Sequence, residues 1–312
     1  MNIKSILNSP ILQFFKKNKL IRKYGIFFLP KGKVVTTVNS VKMSLDLRET
    51  IQRGMYLGSY EPQQTSWFRE CLEKGDVMVD VGANFGWFTT LAAQCVGTHG
   101  HVYAFEPSPY AYSNIESANL KNVTLVKGAL GDSPGSVELN LGNSESLHSP
   151  QIVTAENPTD NKIVVPIFVL DAYEPLKKVG RIKLLKMDIE GYEPKALAGM
   201  KNLASQGRVL NVICEFNSGW LRANGSSSED LMNMFLSMGF FVHKKTDLHR
   251  QLDHHGKHVT LQDFGLSIPN QIESIIVKAL KIQTLLSMIR HFILLLRRTL
   301  NMTLNFWTIN CK

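Results

Sequence analysis

Short apolar runs alternate with helical patterns through the middle of the chain. Apolar or β-branched runs predict strands over residues 77–81, 101–105, 123–126, 136–141, 162–169, 184–187, 209–216 and 240–243. Helical patterns cover residues 63–72, 87–95, 109–119, 194–203 and 226–238. Strands that alternate with helices in this way are typical of a parallel sheet covered by helices on both faces. The pattern therefore predicts an α/β fold.

Other local signals refine this outline. Residues 33–47 alternate β-branched and polar positions, which predicts a hairpin before the sheet. Ser226 and Glu229 have the spacing of a capping box and predict the start of the last helix. We expect a basic arm and hairpin over residues 1–44, the α/β domain over 45–246, and an extension over 247–312.

Charge divides the chain unevenly. The first 45 residues contain nine Lys and Arg and no acid, while the remaining 26 basic residues equal the 26 acidic residues in number. Only the N-terminal arm is therefore basic, and the arm either contacts an anionic membrane surface or packs on its own domain. The neutral remainder disfavours a nucleic-acid partner.

Membrane and redox signals are weak. The sequence has no apolar run of 18 residues and no secretory signal, so we expect no spanning helix. The cysteines lack CxxC spacing, which disfavours a zinc or redox motif and fits a reducing compartment; they are Cys71, Cys95, Cys214 and Cys311. We expect a cytoplasmic protein with possible peripheral membrane contact through its termini. No feature of the sequence specifies an oligomeric state.

A glycine-containing loop follows the first strand of the central pattern. It spans residues 80–86, and its glycines, Gly82 and Gly86, let the backbone turn sharply and approach a ligand. Their spacing is neither the G-x-G-x-x-G of a dinucleotide site nor a phosphate-binding loop. Glu106 ends the next strand, where a carboxylate accepts hydrogen bonds from ribose hydroxyls. Together these residues predict a nucleoside-containing ligand.

Four ordered segments carry a family resemblance. They are residues 75–86, 103–108, 130–132 and 185–191, and they resemble the FkbM-type methyltransferases over about residues 45–244. The resemblance implies a Rossmann-like seven-stranded methyltransferase sheet with N- and C-terminal extensions. It also implies S-adenosyl-L-methionine as the methyl donor. The usual reaction is O-methylation of a hydroxyl on a sugar, glycoconjugate or secondary metabolite, so the expected partner is a small-molecule or carbohydrate acceptor.

The resemblance also assigns donor-binding positions. Asp80, Gly82, Asn84 and Gly86 would surround the methionine end of the donor, and Glu106 would hold the ribose. The rest of the implied cofactor set is Ala83, Pro107, Ala129 and Leu130, the last two beside the adenine.

Methyl transfer to a hydroxyl benefits from a base, and acids at strand ends are the candidates. Asp188 is the first candidate for base or hydroxyl-orienting acceptor, and Glu190 the second. The alternative for Glu190 is to cap the next helix. Glu215 ends a neighbouring strand and either faces the same pocket or pairs with a Lys or Arg. His148 lies in the polar stretch 142–161, which could fold over the substrate, and is a further catalytic candidate. The alternative is a solvated loop histidine.

A metal site is not expected. Carboxylates suit a divalent cation, but the motif does not resemble that of the metal-dependent catechol-type methyltransferases. The histidines near residue 255 lie in an expected loop without matching cysteines, and we predict no metal there; they are His249, His254, His255 and His258. Trp87 and Phe88 are expected to pack in the core.

Three other functions were weighed. A nicotinamide-dependent oxidoreductase shares the sheet and Glu106 but normally has the missing G-x-G-x-x-G motif. A binding or scaffold module would keep the donor pocket without turnover, whereas the retained Asp80, Glu106, Asp188 and Glu190 favour activity. A nucleic-acid methyltransferase is disfavoured because the excess charge lies outside the catalytic domain.

Overall fold

The computed structural model describes residues 29–30, 32–141, 151–152, 161–246, 249–254 and 257–263. The chain divides into two compact units, Met1–Phe264 and Gly265–Lys312, and the second lies outside the described residues. His148 and His255 also lie outside them. None of the helices in the described ranges is long and apolar enough to cross a membrane.

A central sheet of eight strands carries the fold. From one edge to the other its strands are β12 (Phe241–Thr246), β13 (His249–His254), β14 (Lys257–Asp263), β11 (Val212–Phe216), β10 (Leu184–Met187), β3 (Val77–Val81), β4 (His101–Phe105) and β5 (Val123–Val126). The neighbours from β14 to β5 all pair in parallel, and β13 is antiparallel to both of its neighbours. The predicted parallel α/β sheet is therefore confirmed.

The strand count differs from the seven that the family resemblance implied. The expected loop after residue 246 instead contains β13 and β14, which pair with each other and join β12 to β11. In β14, Val259 and Leu261 alternate with polar residues, a strand pattern that the surrounding histidines and charged residues obscure. The histidines His249, His254 and His258 therefore lie in strands.

Nine helices occur in the described residues. They are α1 (Thr50–Leu57), α2 (Pro62–Cys71), α3 (Trp87–Val96), α4 (Pro109–Ala118), α5 (Glu174–Lys177), α6 (Glu193–Ala198), α7 (Lys201–Ser205), α8 (Ser218–Ala223) and α9 (Ser228–Ser237). Short 3-10 helices span Gly97–His99 and Leu170–Ala172. The sequence pattern did not predict α1, α5 or α8, and the helix expected over 194–203 is divided between α6 and α7. The division falls at Gly199, where a Cβ would lie 2.1 Å from the Gly131 carbonyl oxygen.

The predicted cap of α9 is off by one residue. Ser227 is the N-cap, and its Oγ accepts a hydrogen bond of 3.0 Å from the Asp230 N–H. The N–H of Ser226 instead donates to the Leu221 carbonyl and closes α8. A serine followed three residues later by an acid occurs twice here, at residues 226/229 and 227/230. Because Ser226 closes α8, Ser227 is the N-cap of α9.

Two smaller sheets accompany the central one. The predicted hairpin is confirmed as β1 (Lys33–Val38) and β2 (Val41–Asp46). The second sheet has the order β6-β9-β7-β8, with β6 at Ala129–Leu130, β7 at Gly135–Asn140, β8 at Gln151–Ile152 and β9 at Lys162–Phe168. The expected strands near 136 and 162 exist but belong to this separate sheet, because they pair antiparallel with each other.

Apolar side chains cover both faces of the central sheet. Val79, Leu185 and Met187 belong to one buried cluster, whereas Met78 and Leu184 belong to another that includes α3. Successive residues of a strand point to opposite faces, so this division shows that both faces are covered. Since both faces are covered, a ligand can reach the sheet at the carboxyl ends of the strands, where the loops lie.

Candidate active site

An open cleft with a cavity volume of about 200 Å³ lies at the carboxyl ends of β3, β4, β10 and β11. Many of the predicted site residues line it together: Gly82, Asn84, Glu106, Pro107, Ala129, Leu130, Asp188, Glu190 and Glu215. Ligands of open α/β sheets bind at this edge. The structure thus brings the predicted donor residues and the predicted acids into one cleft.

Three predicted cofactor residues do not line the cleft. Asp80 is fully buried and its Oδ2 accepts a hydrogen bond of 2.6 Å from the Thr89 hydroxyl. Ala83 packs in a small apolar cluster, and Gly86 begins α3 with a φ of +85°. A Cβ on Gly86 would lie 2.7 Å from the Ile115 side chain. These residues help to set the backbone of the donor loop, residues 80–86, without lining the cleft.

Gly82 is the point where two loops of the cleft meet. Its φ is +76°, and a Cβ there would lie 1.9 Å from the carbonyl oxygen of Asp188. Only glycine adopts this backbone conformation without strain and leaves room for the approach. The donor loop after β3 therefore touches the base loop, residues 188–191, which follows β10.

Glu106 is held by backbone donors at the rim of β4. Its Oε2 accepts from the Asn84 N–H at 2.7 Å, and its Oε1 accepts from the Ser108 N–H at 2.9 Å. Burial raises the pKa of Glu106 to about 7, although these two N–H groups oppose the shift. Each carboxylate oxygen keeps acceptor capacity beyond its N–H bond, so the group can still accept from two vicinal hydroxyls.

Lys186 is a charged residue that the sequence analysis did not single out. It lies in the buried strand β10, and its Nζ is 3.3 Å from Asp188 Oδ2 and 3.7 Å from Asp80 Oδ1. The ammonium also donates a hydrogen bond of 3.1 Å to the Gly82 carbonyl. A lysine inside the apolar run 184–187 is itself a signal, because a buried cation needs an anionic partner.

Asp188 and Glu215 form a carboxyl pair next to this lysine. Burial raises the pKa of Asp188, but Lys186 and a hydrogen bond from Glu215 outweigh it, so the net shift is downward. Burial and the Asp188 charge raise the pKa of Glu215 to about 11. These opposite shifts favour a pair in which Asp188 is the ionised member and Glu215 carries the proton. Glu215 thus pairs with a carboxylate, where a partner Lys or Arg was the expected alternative.

Glu190 occupies a backbone conformation that is unusual for its residue type. Its φ is +54°, and Gly191 follows with a φ of +91°. Non-glycine residues in this region are strained by about 1–3 kcal/mol and cluster at functional sites. The capping alternative is not observed, since α6 begins after Tyr192 and the Ile189 N–H donates to Glu193 Oε1 at 2.9 Å. Burial raises the pKa of Glu193 to about 7.

The wall opposite the base loop comes from the N-terminal elements. Tyr60, Glu61 and Gln64 around the start of α2, and Ile51 of α1, line the cleft. Burial, with Asp188 and the other nearby acids, raises the pKa of Tyr60, which therefore stays protonated. The sequence analysis missed these residues because they precede the sheet and carry no local motif.

The remaining expectations concern aromatic residues and metals. Trp87 donates from Nε1 to the Thr65 hydroxyl at 2.9 Å, and Phe88 packs on Phe68 with ring centroids 4.5 Å apart, which confirms core packing. Among the described residues, no group of three or more His, Cys, Asp or Glu has a metal-binding arrangement.

Comparison with known proteins agrees with this site. The sequence model described as "Methyltransferase FkbM domain" matches residues 80–242. The chain is 25% identical over 217 residues to the 31-O-demethyl-FK506 methyltransferase FkbM of Streptomyces tacrolimicus, covering 60% of this chain and 79% of that protein. It is 28% identical over 148 residues to the hexuronic acid methyltransferase AglP of Haloferax volcanii, covering 47% of this chain.

The chain spans 58% of the length of AglP. Among solved structures, it is similar to a SAM-dependent O-methyltransferase from Thermotoga maritima, with 13% identity and a TM-score of 0.33, covering 80% of this chain and 77% of the other. It is also similar to the fibrillarin of Aeropyrum pernix in complex with natively bound S-adenosyl-L-methionine, with 12% identity and a TM-score of 0.35, covering 63% and 71%.

Proposed function

Because the chain belongs to the FkbM methyltransferase family, we propose that it is an S-adenosyl-L-methionine-dependent O-methyltransferase. The observation that carries the proposal is the carboxyl of Asp188 3.3 Å from the Lys186 ammonium, in the same cleft as Gly82 and Glu106. A base and a nucleoside-binding edge share one opening, as methyl transfer to a hydroxyl requires.

The residues on the donor side fit the donor. Glu106 would accept from the ribose hydroxyls with the acceptor capacity it keeps beyond its two N–H bonds. Ala129 and Leu130 offer apolar surface for the adenine, and the donor loop would face the methionine end. When bound, the donor supplies an electrophilic methyl group on a sulfonium, and its transfer to a hydroxyl oxygen releases one proton.

Asp188 is suited to take that proton. Lys186 keeps it ionised, and 36% of its side chain is exposed, so an acceptor hydroxyl can reach it. Glu215 donates to Asp188 and thereby fixes the orientation of its carboxylate. General-base assistance of this kind contributes about 10²–10⁴-fold to a rate. Glu190 stays a second candidate for the hydroxyl-orienting role.

The charges of the cleft support a neutral acceptor. Glu61 and Glu190 line the cleft together with Asp188, and Lys186 is the sole cation among the described residues that line it. This lysine already faces Asp80 and Asp188. Residues 142–161, which connect β7 to β9, contain no Lys or Arg. Since like charges repel across an interface, we propose the hydroxyl of a neutral sugar, glycoconjugate or secondary metabolite, in contrast to the acid named for AglP.

Titration of the purified protein with S-adenosylhomocysteine and with NAD tests the donor. We expect micromolar binding of the first and none of the second. Methyl transfer from radiolabelled donor would then be compared for three matched acceptors: the p-nitrophenyl glycosides of glucose, glucosamine and glucuronic acid. We expect the glucuronide to react at least about tenfold more slowly than the other two.

Each outcome has a clear meaning. NAD binding without S-adenosylhomocysteine binding would overturn the methyltransferase proposal. Preference for the glucuronide would overturn the neutral acceptor alone. Donor binding without transfer to any hydroxyl compound would favour a binding or scaffold module. The cysteine pattern supports a cytoplasmic location as part of the proposal.

A further inference from the structure

We propose that Lys186 is a positioning residue that joins the donor loop to the base loop and holds Asp188 in its ionised, reactive state. The inference rests on the proposed function for the reaction that Asp188 serves. The contacts of Lys186 are a property of the protein without any ligand. Lys186 and Gly82 are 104 residues apart in the chain, yet they are hydrogen-bonded.

Three oxygens surround the ammonium. Asp80 lies near the end of β3 and the Gly82 carbonyl directly after it, whereas Asp188 directly follows β10. The ammonium donates to the Gly82 carbonyl at 3.1 Å and pairs with Asp188 Oδ2 at 3.3 Å, while Asp80 Oδ1 lies at 3.7 Å, an ion-pair distance beyond a hydrogen bond. The Phe88 ring, whose centroid is 5.6 Å from Nζ, closes another side. Lys186 is therefore placed to connect two loops and is unsuited to hold an acceptor.

The surroundings of Asp188 explain why the charge matters. Four acids lie near Asp188: Asp80, Glu190, Glu193 and Glu215. Lys186 is the cation among the groups that act on the pKa of Asp188. A carboxylate crowded by other carboxyls loses its ionised form unless an opposite charge supports it. Removing Lys186 would leave the acids competing for protons, and Asp188 would become the neutral partner of Glu215.

The test compares two variants that both lack Asp80, so that no uncompensated buried carboxylate threatens folding. Asp80→Asn keeps Lys186, and Asp80→Asn with Lys186→Met removes it. Carbon-13 NMR titration of labelled aspartate carboxyls in the ligand-free protein reports the pKa of Asp188, whose signal is assigned by its loss in Asp188→Asn. Thermal unfolding confirms that each variant is folded.

We expect the titration midpoint of Asp188 to rise by at least one pH unit in the double variant relative to Asp80→Asn. Lys186→Arg on the Asp80→Asn background should restore the low midpoint. In turnover assays, the pH at half-maximal kcat should shift upward in parallel, whereas a merely structural role would lower kcat equally at every pH.

An unchanged midpoint in the folded double variant would overturn the proposal, as would a rise that Lys186→Arg fails to reverse. Neither result depends on a substrate. If the midpoint shifts as expected while S-adenosylhomocysteine fails to bind the wild-type protein, the proposed function fails and the role of Lys186 in holding Asp188 ionised stands.

Discussion

The two sides of the cleft, which we propose bind the donor and the acceptor, are built by different means. On the donor side, backbone groups act: N–H groups hold Glu106, and glycine at position 82 allows the loop to approach. On the acceptor side, charged side chains act: Lys186, Asp188 and Glu215 form one network, with Tyr60 and Glu61 opposite. The donor side depends on backbone geometry, whereas the acceptor side depends on the charges and protonation states of its side chains.

This difference predicts how each side tolerates change. Backbone geometry is set by the sheet, so substitutions on the donor side alter shape, affinity or stability. A charge network has a protonation state that each member helps to set, so a single substitution on the acceptor side alters reactivity. Variants should therefore separate binding from turnover according to the side they touch.

The largest expected effect is on turnover, from Asp188→Asn. Asparagine keeps the size of the side chain but cannot accept the hydroxyl proton, so kcat should fall about 10²–10⁴-fold. Calorimetry should show S-adenosylhomocysteine affinity within about threefold of wild type, because Asp188 lies outside the expected donor contacts. A loss of donor binding equal to the loss of turnover would contradict the separation of the two sides.

Glu215→Gln is the matched control for that prediction. The Glu215 carboxyl is protonated and donates to Asp188, and a glutamine amide can donate in the same way. Activity should therefore stay within about tenfold of wild type. If Glu215→Gln reduced kcat as strongly as Asp188→Asn, Glu215 would be the base and Asp188 would be the carboxyl that supports it.

The next effect is on stability, at the contact between the two sides. Gly82→Ala should lower the free energy of unfolding by about 3 kcal/mol, because it adds a Cβ to a left-handed backbone and presses it into the Asp188 carbonyl. Gly75→Ala is the control, since Gly75 has a φ of +91° with open space around its Cβ position. It should cost only about 1–2 kcal/mol. If urea denaturation gave the same loss of unfolding free energy for both variants, the contact between residue 82 and the Asp188 carbonyl would not be tight.

The same contrast explains what could be predicted from the sequence. Glycine spacing and strand-end acids are local signals, so Gly82, Glu106 and Asp188 were found where the structure places them. The protonation states were not predictable, because the Glu215 proton depends on Asp188, 27 residues earlier in the chain, and on Lys186. Tyr60 and Glu61 enter the cleft from the segment between α1 and α2, which precedes the central sheet, and no spacing in the sequence links them to the cleft.

The fold shows the same limit. Runs of apolar residues identified β3, β4 and β10, because burial on both faces requires such runs, and helical patterns identified α3 and α4. β13 and β14 were mistaken for a loop because their composition is polar, and their place in the sheet is set by pairing with β11 and β12. Strand pairing across a sheet leaves little mark on the local sequence.

The smallest expected effect is on donor affinity and its dependence on pH. The pKa of Glu106 is raised to about 7 by burial, so the ligand-free carboxyl takes up a proton as the pH falls below 7. Ribose hydroxyls donate to the ionised form, and binding at low pH must displace that proton. Calorimetric affinity for S-adenosylhomocysteine should thus fall by up to about tenfold between pH 7 and pH 6, and stay level from pH 7.5 to 8.5.

Glu106→Gln should weaken binding about 10–100-fold at pH 8, from the loss of charge-assisted hydrogen bonds, and should remove the pH dependence. Asp132→Asn, at an exposed acid that does not line the cleft, should change neither property. A pH dependence that survives in Glu106→Gln would move the titrating group to the acceptor side, where Glu193 also has a pKa of about 7.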